Sequence, residues 1–372
     1  MLNLEPPEEH AAVAEMARTI GLDVLFPAAR DAEAACAVPA PVWKSLLETG
    51  LIVAVPEEKG GDGVPDAMTH MLAVEQLAYG DPGITVAAAW SGAAAFLLGR
   101  HGSPEQDGLL ARLLTDPESR GAVAVYEGFG RAPDEYATTI SVAGDQVRVV
   151  GRKVGVPFAD VADAIIVIGS DAATGRLRAV VVPGGTPGVS VERRTGGLAL
   201  GAAGLASVSF DVTVPAENLV GGPAVDSPAL ARSVERIRLI AAAALIGTAQ
   251  RAIDYASQYA TERVAFGRPI AGFQGISFPL AEAQIRVAEL RLELGDVCSR
   301  LDSGPFDDLS AAVTRLVGYA GETGAETTRN AVQTLGGHGF IVDHPVEIWY
   351  RSAAALAVLD FDPAQSSFQA AL

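Results

Sequence analysis

Cysteine is nearly missing from this chain. Its 372 residues include two, Cys36 and Cys298, far apart and without CxxC spacing. That excludes a disulfide framework and makes both small core thiols of a reduced, cytoplasmic protein. Basic residues are also scarce, with 27 Lys and Arg against 45 Asp and Glu and a formal net charge of −18. Nucleic acid and anionic membrane both reward cations, so neither is an expected partner. The acidic N-terminus has no basic region, so no signal peptide is expected. Long charge-free runs are few. Pro82 to Gly99 is one, but it consists mostly of Ala and Gly with Ser, Thr and Pro, and suits a buried, closely packed helix better than a membrane span. His10, His70, His101, His338 and His344 have no metal-ligand spacing, and no metal site is expected.

What remains is globular: 49% hydrophobic and 19% charged residues, with length enough for several packed layers. The periodicity changes twice. Residues 1–118 carry helical spacing, as in Asp66 to Tyr79 with Met68, Met71, Leu72 and Leu77. Residues 119–222 hold short β-rich runs, among them 138–142, 146–150, 164–168, 177–182 and 207–212, with a Gly-Asp turn after the first. Residues 223–372 return to long helices. Asp226-Ser227-Pro228 starts one of about 35 residues, and others cover 274–303, 307–335 and the stretch after Pro345. The expected fold is α+β: an N-terminal helical domain, a middle β-barrel or sandwich, and a C-terminal four-helix bundle.

Two segments carry residues that packing does not require. Arg263 to Gln274 holds Arg263, Phe266 and Gln274 around a Gly-Arg-Pro break. A guanidinium suits a diphosphate, an aromatic face a purine, and a carboxamide ribose or adenine edges. Near the C-terminus, Gln333 is followed by Gly336-Gly337-His338-Gly339, where glycines let a backbone approach a pyrophosphate closely.

At these residues, and over nearly its whole length, the chain resembles the acyl-CoA dehydrogenase family. The resemblance implies FAD as cofactor, an acyl-CoA substrate, an electron-acceptor flavoprotein, and assembly into dimers or tetramers. It also implies that Arg263, Phe266, Gln274, Gln333, Gly336 and Gly337 hold the adenine half of FAD across a subunit interface.

The catalytic side departs from the family pattern. The family's carboxylate base lies nine residues beyond the counterpart of Arg351. That position is Asp360, one methylene shorter than the usual Glu and followed by Phe361 instead of Gly. The alternative base position, just before Arg238, is Ile237; Glu235 is read as a solvated face residue. Where the family places Trp and Thr beside the flavin ring stand Gly155 and Pro157, leaving Phe158 as a different wall for the ring. An intact adenine side with an altered ring side resembles subunits of heteromeric actinobacterial acyl-CoA dehydrogenases acting on steroid side chains. Three expectations follow: a dehydrogenase working with a related subunit, a silent subunit completing a partner's FAD site, or a flavin oxidase or monooxygenase on the same fold. Arg351 and Glu347 are expected to pair at i,i+4. Arg193-Arg194 is read as a solvated turn, and Trp43, Trp90 and Trp349 as core or interface anchors.

Overall fold

The computed structural model describes residues 8–131, 135–193, 197–222, 227–304, 308–360 and 362–364. Asp226, Arg194 and Phe361 therefore lie outside the described residues.

Among the described residues, six α-helices come first: α1 Glu8–Ile20, α2 Phe26–Ala35, α3 Ala40–Glu48, α4 Ala67–Gly80, α5 Pro82–His101 and α6 Asp107–Thr115. Local chemistry sets the starts of α4 and α5. Asp66 accepts from the backbone N–H of Thr69, and Asp81 from that of Ile84, each satisfying an orphan donor of the first turn. The charge-free run forms α5 and is buried along its length, as its small residues allow.

Seven strands follow among the described residues: β1 Gly121–Ala124, β2 Thr139–Ala143, β3 Gln146–Val156, β4 Ala164–Asp171, β5 Leu177–Pro183, β6 Val189–Arg193 and β7 Ala206–Pro215. They make one curled sheet, in the order β1-β4-β2-β3-β7-β6 with β5 also on β4, the middle β domain expected between the helical blocks. β1 pairs parallel with β4, whereas β2–β3 is an antiparallel hairpin whose turn uses Gly144 at φ 60°. Alternate residues such as Val147, Val149, Val208, Phe210 and Val212 share one buried apolar cluster.

The last block holds α7 Ser227–Glu262, a hairpin of β8 Val264–Ala265 and β9 Arg268–Pro269, then α8 Gln274–Ser303, α9 Leu309–Leu335 and α10 Val346–Leu356. α7 is central and touches α4, α5, α8, α9 and α10. Its stretch from Leu239 to Ala249 is buried on all sides, so it reads as apolar all round. Gly247 permits the closest approach: a Cβ there would lie 2.0 Å from the Glu75 carbonyl oxygen of α4. α9 buries Leu309, Ala312, Val313, Leu316, Val317 and Ala320, the i, i+3, i+4, i+7 stripe of a core-facing helix.

Candidate functional site

Two regions bear the residues singled out by sequence. The first lies at the far end of the helical bundle. β8 and β9 are joined by the two-residue loop Phe266-Gly267, at φ 52° and 81°. Positive φ at both positions is the tight hairpin geometry favoured by Asn-Gly, and a bulky Phe there is strained. Phe266 is also 96% exposed, its ring meeting only the edge of Phe273 at 6.3 Å among the described aromatic contacts. Neither backbone preference nor burial accounts for this residue.

Beside the hairpin is a cavity of about 340 Å³ lined by Tyr259, Arg263, Ile270, Gly336, Gly337 and His338, among others. Gly336 ends α9 at φ 61°, ψ −134°, and a Cβ at either Gly336 or Gly337 would meet no atom within 4 Å. The backbone is thus open to a ligand. Arg263, Gly336 and Gly337 meet at this cavity; Phe266, Gln274 and Gln333 are exposed nearby but do not line it. Sequence reasoning missed Tyr259, whose hydroxyl lies 3.0 Å from Nδ1 of His338, and Tyr255, 2.7 Å from Nδ1 of His344. Both tyrosines look like ordinary helix-face residues of α7.

The second region lies between the sheet and α7. Arg238 is buried and donates from Nε to Asp360 at 2.7 Å, from Nη1 to Glu235 at 2.7 Å and from Nη2 to Thr314 at 3.0 Å. Glu235 is therefore not a solvated face residue: one turn before Arg238, it shares the guanidinium with Asp360. Burial pushes the Asp360 carboxyl up to about 6; Arg238 opposes the rise and Glu235 adds to it. The same pair holds the Arg238 guanidinium above its ordinary value against burial. Burial, with Asp362 and Asp360, also raises the Tyr126 phenol to about 12, and its hydroxyl has no hydrogen-bond partner.

Beside Asp360, a cavity walled by Tyr126, Gly155, Ile237, Arg238 and Leu359 offers only about 10 Å³, room for roughly one water. Gly155 sits at φ 65°, and a Cβ there would meet Leu359 at 3.4 Å. Among the described residues, Arg263 beside the open backbone of Gly336 and Gly337 offers donors that suit a diphosphate, while the cavity at Asp360 holds about one water. Phe158 does not face this cavity either. Held at φ 57°, it turns into the core and packs edge-on against Trp43 at 5.4 Å.

Further polar groups brace the region. Lys153 is fully buried, donating to the Val125 carbonyl at 2.7 Å and to Glu127 at 2.9 Å. Burial lowers its ammonium to about 8, with Glu127 opposing. Arg351 pairs with Glu347 at 2.7 Å, the expected i,i+4 contact, and also with Glu33 of α2 at 2.6 Å. Arg193, exposed at the end of β6, lies 3.0 Å from Asp160. Cys298 is buried, but Cys36 is half-buried at the left-handed end of α2, so only one of the two cysteines is a core thiol. Trp43, Trp90 and Trp349 are buried.

Comparison with known proteins places this geometry. A model of the acyl-CoA dehydrogenase N-terminal domain matches residues 7–115, and one of the C-terminal domain matches residues 229–360. The mitochondrial short-chain specific acyl-CoA dehydrogenase of Bos taurus is 29% identical over 363 residues, covering 94% of this chain and 86% of its own. Butyryl-CoA dehydrogenase from Megasphaera elsdenii superposes with a TM-score of 0.84 at 23% identity, over 99% of this chain and 98% of its own. PigA, solved with FAD and proline, superposes with a TM-score of 0.88 at 21% identity, over 100% and 98%.

Proposed function

Because the chain belongs to the acyl-CoA dehydrogenase family, we propose that it is one subunit of an enzyme that desaturates an acyl-CoA thioester and works beside a second, related chain. Its cofactor is FAD. When bound, FAD supplies the acceptor for the hydride leaving the β carbon. This chain contributes Arg263 toward the diphosphate, the open backbone at Gly336 and Gly337 for close approach, and Phe266, Gln274 and Gln333 toward the adenosine of a flavin seated mainly on the adjoining subunit.

One observation carries the reading: Phe266 stands strained and 96% exposed at the end of the bundle, where only another molecule can use it. Two others support it. Among the described residues, the cavity beside Asp360 holds about 10 Å³, which favours a flavin ring seated on the adjoining subunit. On α8, Phe278, Ile285 and Leu292 repeat at a seven-residue interval, each 61% exposed, opposite the buried Leu280, Val287 and Leu294. A seven-residue apolar stripe on a solvent face fits a partner helix. The proposal extends to a cytoplasmic location, transfer of electrons to a separate flavoprotein, and a place in fatty-acyl or steroid side-chain breakdown.

A second reading rests on Asp360. A carboxyl held at about 6 is poised to take a proton near neutral pH. Asp360 would then remove the proton α to the thioester carbonyl in this chain's own site once the cleft opens, with Arg238 orienting it. Co-expression with a related chain, followed by flavin absorbance and turnover of a series of acyl-CoA thioesters, separates the two. The first reading expects a colourless, inert single chain and a flavin shared by each pair of unlike chains. Full flavin loading and turnover by this chain alone, abolished in Asp360→Ala, gives the second. Oxygen consumption in place of acceptor reduction would mark an oxidase, and a flavin-free protein in every assembly would defeat both readings.

A further inference from the structure

The cavity beside the β8–β9 hairpin holds more than a guanidinium and two glycines. His338, the third residue of the turn that follows α9, lines it as well. Its Nδ1 lies 3.0 Å from the Tyr259 hydroxyl, and its ring is 5.7 Å from that of His344. His344 has the same kind of support, with Nδ1 2.7 Å from the Tyr255 hydroxyl. Two tyrosines at i,i+4 on α7 thus hold two imidazoles side by side.

A tyrosine hydroxyl is both donor and acceptor, and its hydrogen rotates. Toward a neutral imidazole Tyr259 donates to Nδ1, which leaves the proton of His338 on Nε2. Toward an imidazolium the same oxygen accepts from Nδ1–H, and no heavy atom has to move. His338 can therefore gain a charge in place. The titratable and charged groups around it are Tyr259 and Arg263 of α7, with His344 and Tyr255 beyond. No carboxylate lines the cavity or bonds to either imidazole among the described residues. The Arg263 guanidinium likewise makes no hydrogen bond or ion pair among the described residues. An anion from outside is what both groups would pair with.

A negative charge within about 4–6 Å favours the charged form of a titratable group. Linkage makes the effect mutual: a site that gains a proton on binding its ligand binds that ligand more tightly as pH falls. On the reading of this cavity as the nucleotide end, we propose that His338 takes up a proton as the diphosphate of a dinucleotide enters, and holds it as an imidazolium together with Arg263. The chain then grips its cofactor more tightly in mildly acidic conditions.

The probe is ADP-ribose, whose diphosphate is esterified at both ends and keeps a constant charge near neutral pH. Calorimetric titration of the full chain runs from about pH 6 to about pH 8, within the span where histidine changes charge, at ionic strength held constant with chloride. Affinity should be roughly tenfold higher at the acid end, as one charge-assisted contact would give. Titration in two buffers of different ionisation enthalpy should show net proton uptake. His338→Gln, at an exposed position, keeps a neutral donor but cannot be charged. It should bind with one affinity across the range and take up no proton. Arg263→Gln should weaken binding at every pH. If the wild type binds equally well throughout, or H338Q overlays it, the proton uptake is refuted while the nucleotide reading stands. If the wild type does not bind, or R263Q binds as the wild type does, the nucleotide reading falls and the proton uptake falls with it.

Discussion

Glu235 and Asp360 share one cation: each has a carboxylate oxygen 2.7 Å from the buried guanidinium of Arg238. Two buried acids on one base make the protonation of Asp360 depend on its neighbours. Its folded value, about 6, lies above the ordinary 3.8. A raised acid gives stability that is complete below the unfolded value and is lost as pH climbs through the folded one. Stability measured by urea unfolding should therefore fall between about pH 4 and pH 6, and Asp360→Asn should flatten that decline. Arg238→Met should be far more damaging, costing roughly 3 kcal/mol or more at neutral pH, because it leaves two buried carboxylates facing each other.

Phe266 offers a separation of stability from function. Asn tolerates the left-handed backbone that strains Phe. Phe266→Asn should leave the chain equally stable or more stable by about 1 kcal/mol. Flavin content of the co-purified assembly should nevertheless drop. Unchanged flavin absorbance in that variant would remove Phe266 from the nucleotide site.

The α8 stripe predicts a change in assembly. Leu292→Glu puts a charge at a position 61% exposed, so the isolated chain should keep its stability within about 0.5 kcal/mol. Sedimentation velocity should show a smaller species than wild type. An unaltered sedimentation coefficient would place the subunit contact elsewhere.

Lys153 is fully buried against Glu127, which also accepts from the backbone N–H groups of Ala137 and Thr138. Lys153→Met should cost roughly 3 kcal/mol, since it strands a buried carboxylate. Pairing it with Glu127→Gln should recover part of that loss, and the two changes should not add. Denaturant midpoints for the three variants decide it.

Much of this architecture is written locally. α8 spans Gln274–Ser303 as its apolar spacing predicts, and the turn after β2 sits at Gly144. β1 was illegible because Gly-Ala-Val-Ala has neither alternation nor β-branched weight; its pairing with β4 creates it. β6 was missed too: it is held by pairing with β7 rather than by a marked pattern of its own. Glu235 could not be read from spacing, since its partner Asp360 is 125 positions away and meets it only through Arg238. Likewise the Glu33 contact of Arg351 bridges a separation of 318 residues. Phe158 was misplaced because its direction depends on a left-handed turn that composition does not announce. The carboxylate at Asp360 is visible in the sequence, while the narrowness of the space around it is a property of packing alone.

The burial of α5 has a consequence during biosynthesis. Its 20 residues are apolar enough to cross a lipid bilayer, yet α7, one of the helices that covers it, starts at Ser227. At ordinary translation speeds the nascent segment waits on the order of ten seconds for that cover. Throughout that interval it offers targeting factors and chaperones the profile of a signal anchor, and the emerging polypeptide must be shielded from them or by them until the later helix arrives.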